Sequence, residues 1–355
     1  MHITDVGSQS IHSAVASCAL STRPSPATVL RVLHVIPGDA AGASMIFAKR
    51  QVASLVRAGA VVETVYLSSR TDPRVVAREG LLIRRVARRF RPHLIHAHYG
   101  TLTAMLCVCV SPVPLVITFR GSDLNPADLR ARAALGRLMS QCAALGAARI
   151  ICVSASLKAR LWWGAKRTSI IPTGVDLRTF QPRPRDEVRR ELGWPLEERV
   201  VLFNVSYNPL TKRLDLAQAA FAQARAMHAD LRLYVIRGTE PVSRMPLLLN
   251  AADCLLVTSD HEGSPNIVKE ALACDLPVVS VDVGDVAERL AGVTPSRVVE
   301  RREGAIAEAL VGVVGLGRRC NGVAAVRHLS EQCIAQRILA VYQEAVHLRP
   351  PASDV

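Results

Sequence analysis

Apolar and polar residues follow two rhythms along this chain. Mostly apolar runs that read as strands occur at 31–36 (Arg-Val-Leu-His-Val-Ile) and at 61–67. Between them lie a small-residue loop, Pro37-Gly-Asp-Ala-Ala-Gly-Ala-Ser44, and a helical pattern from Met45 to about Arg57, closed by Gly59. Strand, loop, helix and strand in that order form one βαβ unit, whose crossover is expected to be right-handed. Further strand-like runs at 93–97, 115–119 and 150–153 alternate with helical segments, which predicts a parallel, doubly wound sheet. Pro and Gly then punctuate Ile171-Pro-Thr-Gly-Val-Asp176 and 181–184, as at a domain junction.

Beyond that break the pattern restarts. Strands are expected at 200–203, 231–236, 254–258 and 278–281, with helices at 215–228, 245–250 and 265–274 and more helix after them. The expected fold is α/β, with two Rossmann-like doubly wound parallel-sheet domains facing a cleft. Residues 1–28 read as a loose leader, 29–172 as the first domain and 173–328 as the second. A C-terminal helix and tail occupy 329–355, with the reach to pack back on the first domain.

Composition supports this division. At 355 residues the chain exceeds the usual size of one hydrophobic core, and half of its residues are apolar while only 4% are aromatic. Nine cysteines without Cys-x2-Cys spacing argue against structural zinc and suit reduced thiols in a cytosolic protein. No charge falls between Tyr99 and Phe119, about the length of a bilayer span, but Pro112 and Pro114 divide it into a helix near 102–110 and a strand. The apolar patch at 14–20 is short and has no basic residues before it, unlike a signal peptide.

The most informative segment runs Cys254-Leu-Leu-Val-Thr-Ser-Asp-His-Glu-Gly-Ser-Pro-Asn-Ile-Val-Lys-Glu-Ala-Leu-Ala-Cys274. It reads as strand, polar loop and helix, with Ser264 as N-cap and Pro265 as the first helical residue. The free amides of that helix then face the C-terminal edge of the sheet, where ligands bind and phosphate is favoured. Glu262 in the loop and Glu270 in the helix are too far apart along the axis for a tight acid/base pair. Spacing alone leaves them as a solvated loop acid and an exposed helix residue pairing with Lys269 or a neighbour, or as contacts to two different ligand groups.

The stretch Glu262-Gly-Ser-Pro-Asn-Ile-Val-Lys-Glu270 resembles the Glu-x7-Glu signature of family 4 retaining glycosyltransferases, which have the GT-B fold. Asn250-Ala-Ala-Asp253 before it and Leu276-Pro-Val-Val-Ser280 after it fit the same family, as do Pro172-Thr-Gly-Val-Asp176 and His96-Ala-His-Tyr-Gly100. The resemblance runs from about residue 30 to about residue 345. It implies that Glu262 contacts donor-sugar hydroxyls and Glu270 the ribose. Backbone amides of Gly263, Ser264, Asn266, Ile267 and Val268 would line the sugar and diphosphate, Lys212 would neutralise the diphosphate, and Gly42 would let the backbone approach it closely.

The reaction implied is hexosyl transfer from a nucleotide-diphosphate sugar to a glycan or polyprenyl-linked acceptor in cell-surface polysaccharide assembly. A fixed cation in place of a metal, and no cofactor besides the donor, are part of that expectation. Three departures stand out: no arginine precedes Lys212 in Asn204-Val-Ser-Tyr-Asn-Pro-Leu210, Ala41 replaces the first glycine of a loop pair, and Arg120 stands where many relatives place histidine. Lys212 with Arg213 or another group would then neutralise phosphate. Arg120 remains a candidate donor to sugar or phosphate, or a partner of Asp123. His96 and His98 are not read as a metal site, because no third ligand is evident, and Trp162-Trp163 reads as packing rather than a sugar platform.

Charge adds one question. Lys and Arg number 44 against 30 Asp and Glu, a formal +14. The segment Arg78–Arg91 carries six arginines and one acid around a stripe of Leu82, Val86 and Phe90. Such a helix packs its stripe on the sheet, or lies on anionic lipid at the cytoplasmic membrane face. A nucleic-acid-binding protein would show interleaved aromatics or a reader motif, and neither is present. Gly38 and Gly42 lack the Gly-x-Gly-x-x-Gly spacing of a nicotinamide enzyme. A nucleotide-sugar epimerase or an inactive sugar-nucleotide binder on the same fold stays open.

Overall fold

The computed structural model describes residues 29–42, 44–68, 72–125, 131–206 and 208–347, so the expected leader and the last residues of the tail lie outside the described residues. Two parallel sheets form the framework. The first contains β1 (Arg31–Pro37), β2 (Val61–Leu67), β3 (Leu94–His98), β4 (Leu115–Phe119), β5 (Arg149–Cys152) and β6 (Thr168–Ile170), in the order β2-β1-β3-β4-β5-β6. The second contains β7 (Arg199–Asn204), β8 (Leu231–Ile236), β9 (Cys254–Val257), β10 (Val278–Val281) and β11 (Arg297–Val299), in the order β11-β10-β9-β7-β8. Each sheet reverses its winding once, between β1 and β3 and between β7 and β9. Such reversals open a crevice at the strands' C-terminal ends.

Period-two alternation explains how the first sheet is covered. Val32, Leu94, Val116 and Ile151 face one way and join the core that includes Ile334, Ile338, Val341 and Tyr342 of the helix Glu331–His347. Leu33, Val35, Ile95, Ile117 and Ile150 face the other way, against Ile83 and Ala87 of the helix Pro73–Phe90. The last helix therefore crosses back to the first domain. Each of its buried apolar side chains contributes about 1.5–3 kcal/mol, and Arg149–Glu344 (3.0 Å) and Arg57–Glu331 (2.6 Å) tie its two ends.

The chain passes between domains twice, and the two crossings are stitched together. Val175 N–H donates to Leu329 O (2.9 Å) and Glu331 N–H to Val175 O (3.1 Å). Gly174 is required there, since a Cβ would stand 2.9 Å from the Glu331 Cα.

One sequence expectation shifts and another holds. The stripe of the arginine-rich helix runs through Gly80, Ile83, Val86 and Ala87, while Leu82 is 41% exposed beside Leu81 at 65%. Val86 and Phe90 pack on that core as read from the sequence, while Ile83 takes the place of Leu82 on the buried i, i+3, i+4 row. The uncharged stretch 99–119 is a ten-residue helix, Thr101–Val110, followed by β4. Among the described residues no helix is long and apolar enough to cross a membrane.

Candidate active site in the interdomain cleft

The loops after β7 and β9 flank the winding reversal of the second sheet. After β7, Asn208 caps the short helix Pro209–Lys212, accepting from the Thr211 N–H (3.1 Å), and Lys212 ends it. After β9, residues 258–262 are bound to that turn. The Thr258 hydroxyl donates to Lys212 O (2.8 Å), and the Asp260 N–H donates to Thr211 O (2.9 Å). Arg301 clamps the same loop through Thr258 O (2.7 Å) and Ser259 O (2.9 Å). The result is an ion pair between Lys212 Nζ and Glu262 Oε1, with the Ser259 hydroxyl donating to the same oxygen at 2.9 Å.

The helix that follows is Asn266–Ala273, and Pro265 is its N-cap without a side-chain cap bond. Ser264 is therefore not the cap expected from the sequence. Its buried hydroxyl donates to Asp285 Oδ2 (2.8 Å) and accepts from Lys269 Nζ (2.9 Å). Lys269 is 1% exposed rather than a surface partner of Glu270, and burial pushes its ammonium down to about 8. With the cap absent, the first amides of the helix have no intrahelical acceptor. The Val268 N–H is the exception, donating to Pro265 O at 3.3 Å inside a fully buried residue. Asn266 Oδ1 is buried without a partner.

The first domain supplies the opposite wall. Arg50 Nη1 reaches Glu270 Oε1 at 3.4 Å, and burial raises the Glu270 carboxyl against the pull of Arg50 and Lys269. Arg120, at the end of β4, donates from Nη2 to Gln51 Oε1 (2.8 Å) and to His98 Nδ1 (2.9 Å), stacked over Phe47 with 4.8 Å to the ring centre. Burial lowers its guanidinium to about 10, while Asp123 pulls the other way. Asp123 does not pair with that guanidinium. Its carboxylate accepts the N–H groups of Arg120 (3.1 Å), Gly121 (2.9 Å) and Gly100 (3.0 Å), fixing the turn that aims Arg120.

Behind Arg120 stands a buried trio the sequence reading missed. His34 on β1 is in register with His96 on β3, and His34, His96 and His98 place ligand nitrogens within 4.8 Å of one another. A third imidazole therefore exists, contrary to the expectation. Guanidinium only donates, so His98 Nδ1 accepts and its Nε2–H points to His34 Nδ1, 2.7 Å away. His96 is held between Tyr342 (2.6 Å) and Thr118 (2.7 Å). Burial lowers the pKa of all three, His34 to about 3, so they are neutral. With Arg120 alongside and these pairings in place, only His34 Nε2 lacks a partner among the trio's nitrogens.

Both walls enclose a cavity of about 530 Å³ lined by Lys212, Glu262, Gly263, Ser264, Asn266, Ile267 and Glu270 from one side, and by Arg50, Gln51 and Arg120 from the other. That volume suits a small-molecule ligand. Val268 and Gly42 do not line it. Gly42 folds back instead, its N–H on the Asp39 carboxylate and its carbonyl on Lys49 Nζ (2.5 Å). Arg213 is spent on Asp215 (2.8 Å) and Asp260 (3.4 Å), so the cations that line the cleft beside Lys212 are Arg120 and Arg50, the latter marked by no sequence signal. Neither Trp162 nor Trp163 reaches the cavity. The domains touch at Gly263, where a Cβ would stand 2.1 Å from the Arg120 carbonyl oxygen.

Comparison with known proteins bears on the class of the chain and on its fold. Residues 34–179 match Glycosyltransferase Family 4, and residues 217–315 match Glycosyl transferases group 1. Over 218 residues the chain is 28% identical to TuaC of Bacillus subtilis (strain 168), assigned by name to teichuronic acid biosynthesis as a glycosyltransferase. It is 29% identical over 217 residues to a D-inositol 3-phosphate glycosyltransferase of Segniliparus rotundus. These matches extend over 55% and 51% of this chain and 54% and 48% of the relatives, so the chain spans about half the length of the curated relatives it matches.

Sucrose-phosphate synthase from Thermosynechococcus elongatus has the same fold, with a TM-score of 0.73, 16% identity and coverage of 90% of this chain and 100% of that one. HepE of Anabaena, crystallised with UDP, gives 0.69, 17%, 88% and 100%. The chain has the GT-B fold, with a family 4 match confined to its first half and a group 1 glycosyltransferase match in its second.

Proposed function

We propose that this chain transfers a hexosyl unit from a nucleotide-diphosphate sugar to a glycan or lipid-linked acceptor, with retention and without a metal. One observation carries the reading. Lys212, Glu262 and Glu270 converge on the cavity at the start of a helix whose first amides are free, with Arg50 and Arg120 opposite. Departure of a nucleoside diphosphate develops negative charge, and fixed cations and amides there stabilise it without reorganising. Lys212 leaves Glu262 for the diphosphate when donor binds, which frees the Glu262 carboxylate for sugar hydroxyls. Glu270 takes the ribose, and Asn266 Oδ1 offers one more acceptor.

In the transfer step the bond from the anomeric carbon to the β-phosphate oxygen breaks, and the acceptor oxygen bonds to that carbon on the same face. The acceptor proton passes to the departing phosphate oxygen. The protein positions, neutralises and excludes water. Incubation with a labelled donor and product analysis tests this reading: a glycoside of unchanged anomeric configuration supports it, whereas only free sugar or an epimer contradicts it.

The setting we infer is the cytoplasmic face of the membrane, with the arginine-rich helix against anionic lipid. Its exposed Leu81 and Leu82 lie among the exposed Arg78, Arg84, Arg85 and Arg88, a surface suited to headgroups. Cosedimentation with anionic liposomes at low salt is the expected result, and none at all removes the membrane part.

A further inference from the structure

The cavity extends beyond the residues that account for sugar and diphosphate. It continues along the second sheet past Ser206, Ile236, Gly238, Glu240, Val242 and Met245, contributed by the segments that follow β7 and β8. In the order β9-β7-β8 the last strand is the sheet edge, two strand spacings or about 10 Å from the loop that carries Glu262. On the donor-site reading above, that displacement leads from the diphosphate toward the base. Ile236, Val242 and Met245 supply apolar surface for a flat ring. Glu240 supplies the one acid in this part of the wall, and its Oε2 is buried without a hydrogen-bond partner.

We propose that Glu240 reads the nucleobase and selects guanine, so that the donor is a guanosine-diphosphate sugar; this rests on the donor-site reading. An ionised carboxylate only accepts, and a buried unpaired oxygen is costly until donors reach it. Guanine presents two adjacent donors, N1–H and the N2 amino group, which fit two carboxylate oxygens side by side. Adenine and cytosine each place a bare ring nitrogen next to their amino group, and that lone pair faces the carboxylate. Uracil has one N–H between two carbonyl oxygens. Each of these bases would leave a lone pair against Glu240, and a site built around hydrogen bonds rejects a ligand that cannot make them.

Isothermal titration of the full chain with GDP, IDP, UDP and ADP, in wild type and in Glu240→Gln, tests the assignment. GDP is expected to bind at least about tenfold more tightly than UDP or ADP. IDP, which lacks only the N2 amino group, falls between them, and Glu240→Gln brings the GDP and UDP affinities together with its melting temperature unchanged. UDP or ADP binding as tightly as GDP overturns the base assignment and leaves the donor site standing, as does a Glu240→Gln variant with an unaltered preference. Failure of every diphosphate to bind overturns both readings.

Discussion

The two walls of the cleft are built by different means. The second domain draws Glu262, Gly263, Ser264, Asn266, Ile267 and Glu270 from one loop and the helix after it, so backbone and side chains arrive together. The first domain draws Arg50 and Gln51 from a helix, Arg120 from a strand end and Thr173 from the domain crossing. A loop at a helix start provides anion-binding amides through its own conformation. Scattered cations need scaffolding from elsewhere, and the histidine trio with Tyr342 provides it for Arg120. One wall is set by local chain geometry and the other by tertiary packing, so they should fail differently.

Acid should separate them most. Three buried, neutral histidines have folded-state pKa values below the ordinary 6.5. Below pH 6.5 the unfolded chain takes up protons that the folded chain refuses, so stability falls with pH from there toward the folded values, about 3 for His34. With three protons involved the slope approaches about 4 kcal/mol per pH unit. Chemical denaturation at pH 7 and pH 5 measures it, and equal midpoints would remove the trio from the account of stability.

The next effect belongs to the opposite wall. Lys212→Ala is expected to lower turnover by about 10²–10³-fold with little change in melting temperature, since Lys212 is a half-buried cation needed for the leaving group. Gly263→Ala puts a methyl group against the Arg120 carbonyl and parts the walls. A displacement of that order costs about 10²-fold in turnover, and a variant with normal kinetics would show that the contact does not set the cleft.

Smaller effects should follow at the scaffold and the surface. His98→Leu removes an acceptor from Arg120 and is expected to cost about 1–3 kcal/mol, while His98→Asn returns an acceptor and recovers part of it. Neutralising Arg84, Arg85 and Arg88 should weaken binding to anionic vesicles by about 1 kcal/mol per charge, with transfer to a soluble acceptor unchanged.

The contrast between the walls also explains what could be read in advance. Strands of four or more apolar residues, and the restart after Pro172, declare themselves in sequence. The three-residue β6 and β11 do not, because so short a run has no periodicity. The heart of the second wall, from Glu262 to Glu270, was legible because those residues are nearly consecutive. Arg50 was not, since an arginine in a helix has no distinguishing spacing, and His34 meets His96 only across a strand pair. Ser264 looked like a cap because its neighbours allow one. Its hydroxyl is instead held by Lys269 and Asp285, a contact spanning 21 residues.

The central claim is that the helix start and Lys212 together hold a nucleoside diphosphate. Titrating GDP and UDP into the protein while following the β-phosphorus resonance by NMR tests it directly. The account predicts a saturable shift or broadening at one site per chain, lost in Lys212→Ala. An unperturbed resonance in the wild type, or the same response in both proteins, would contradict it.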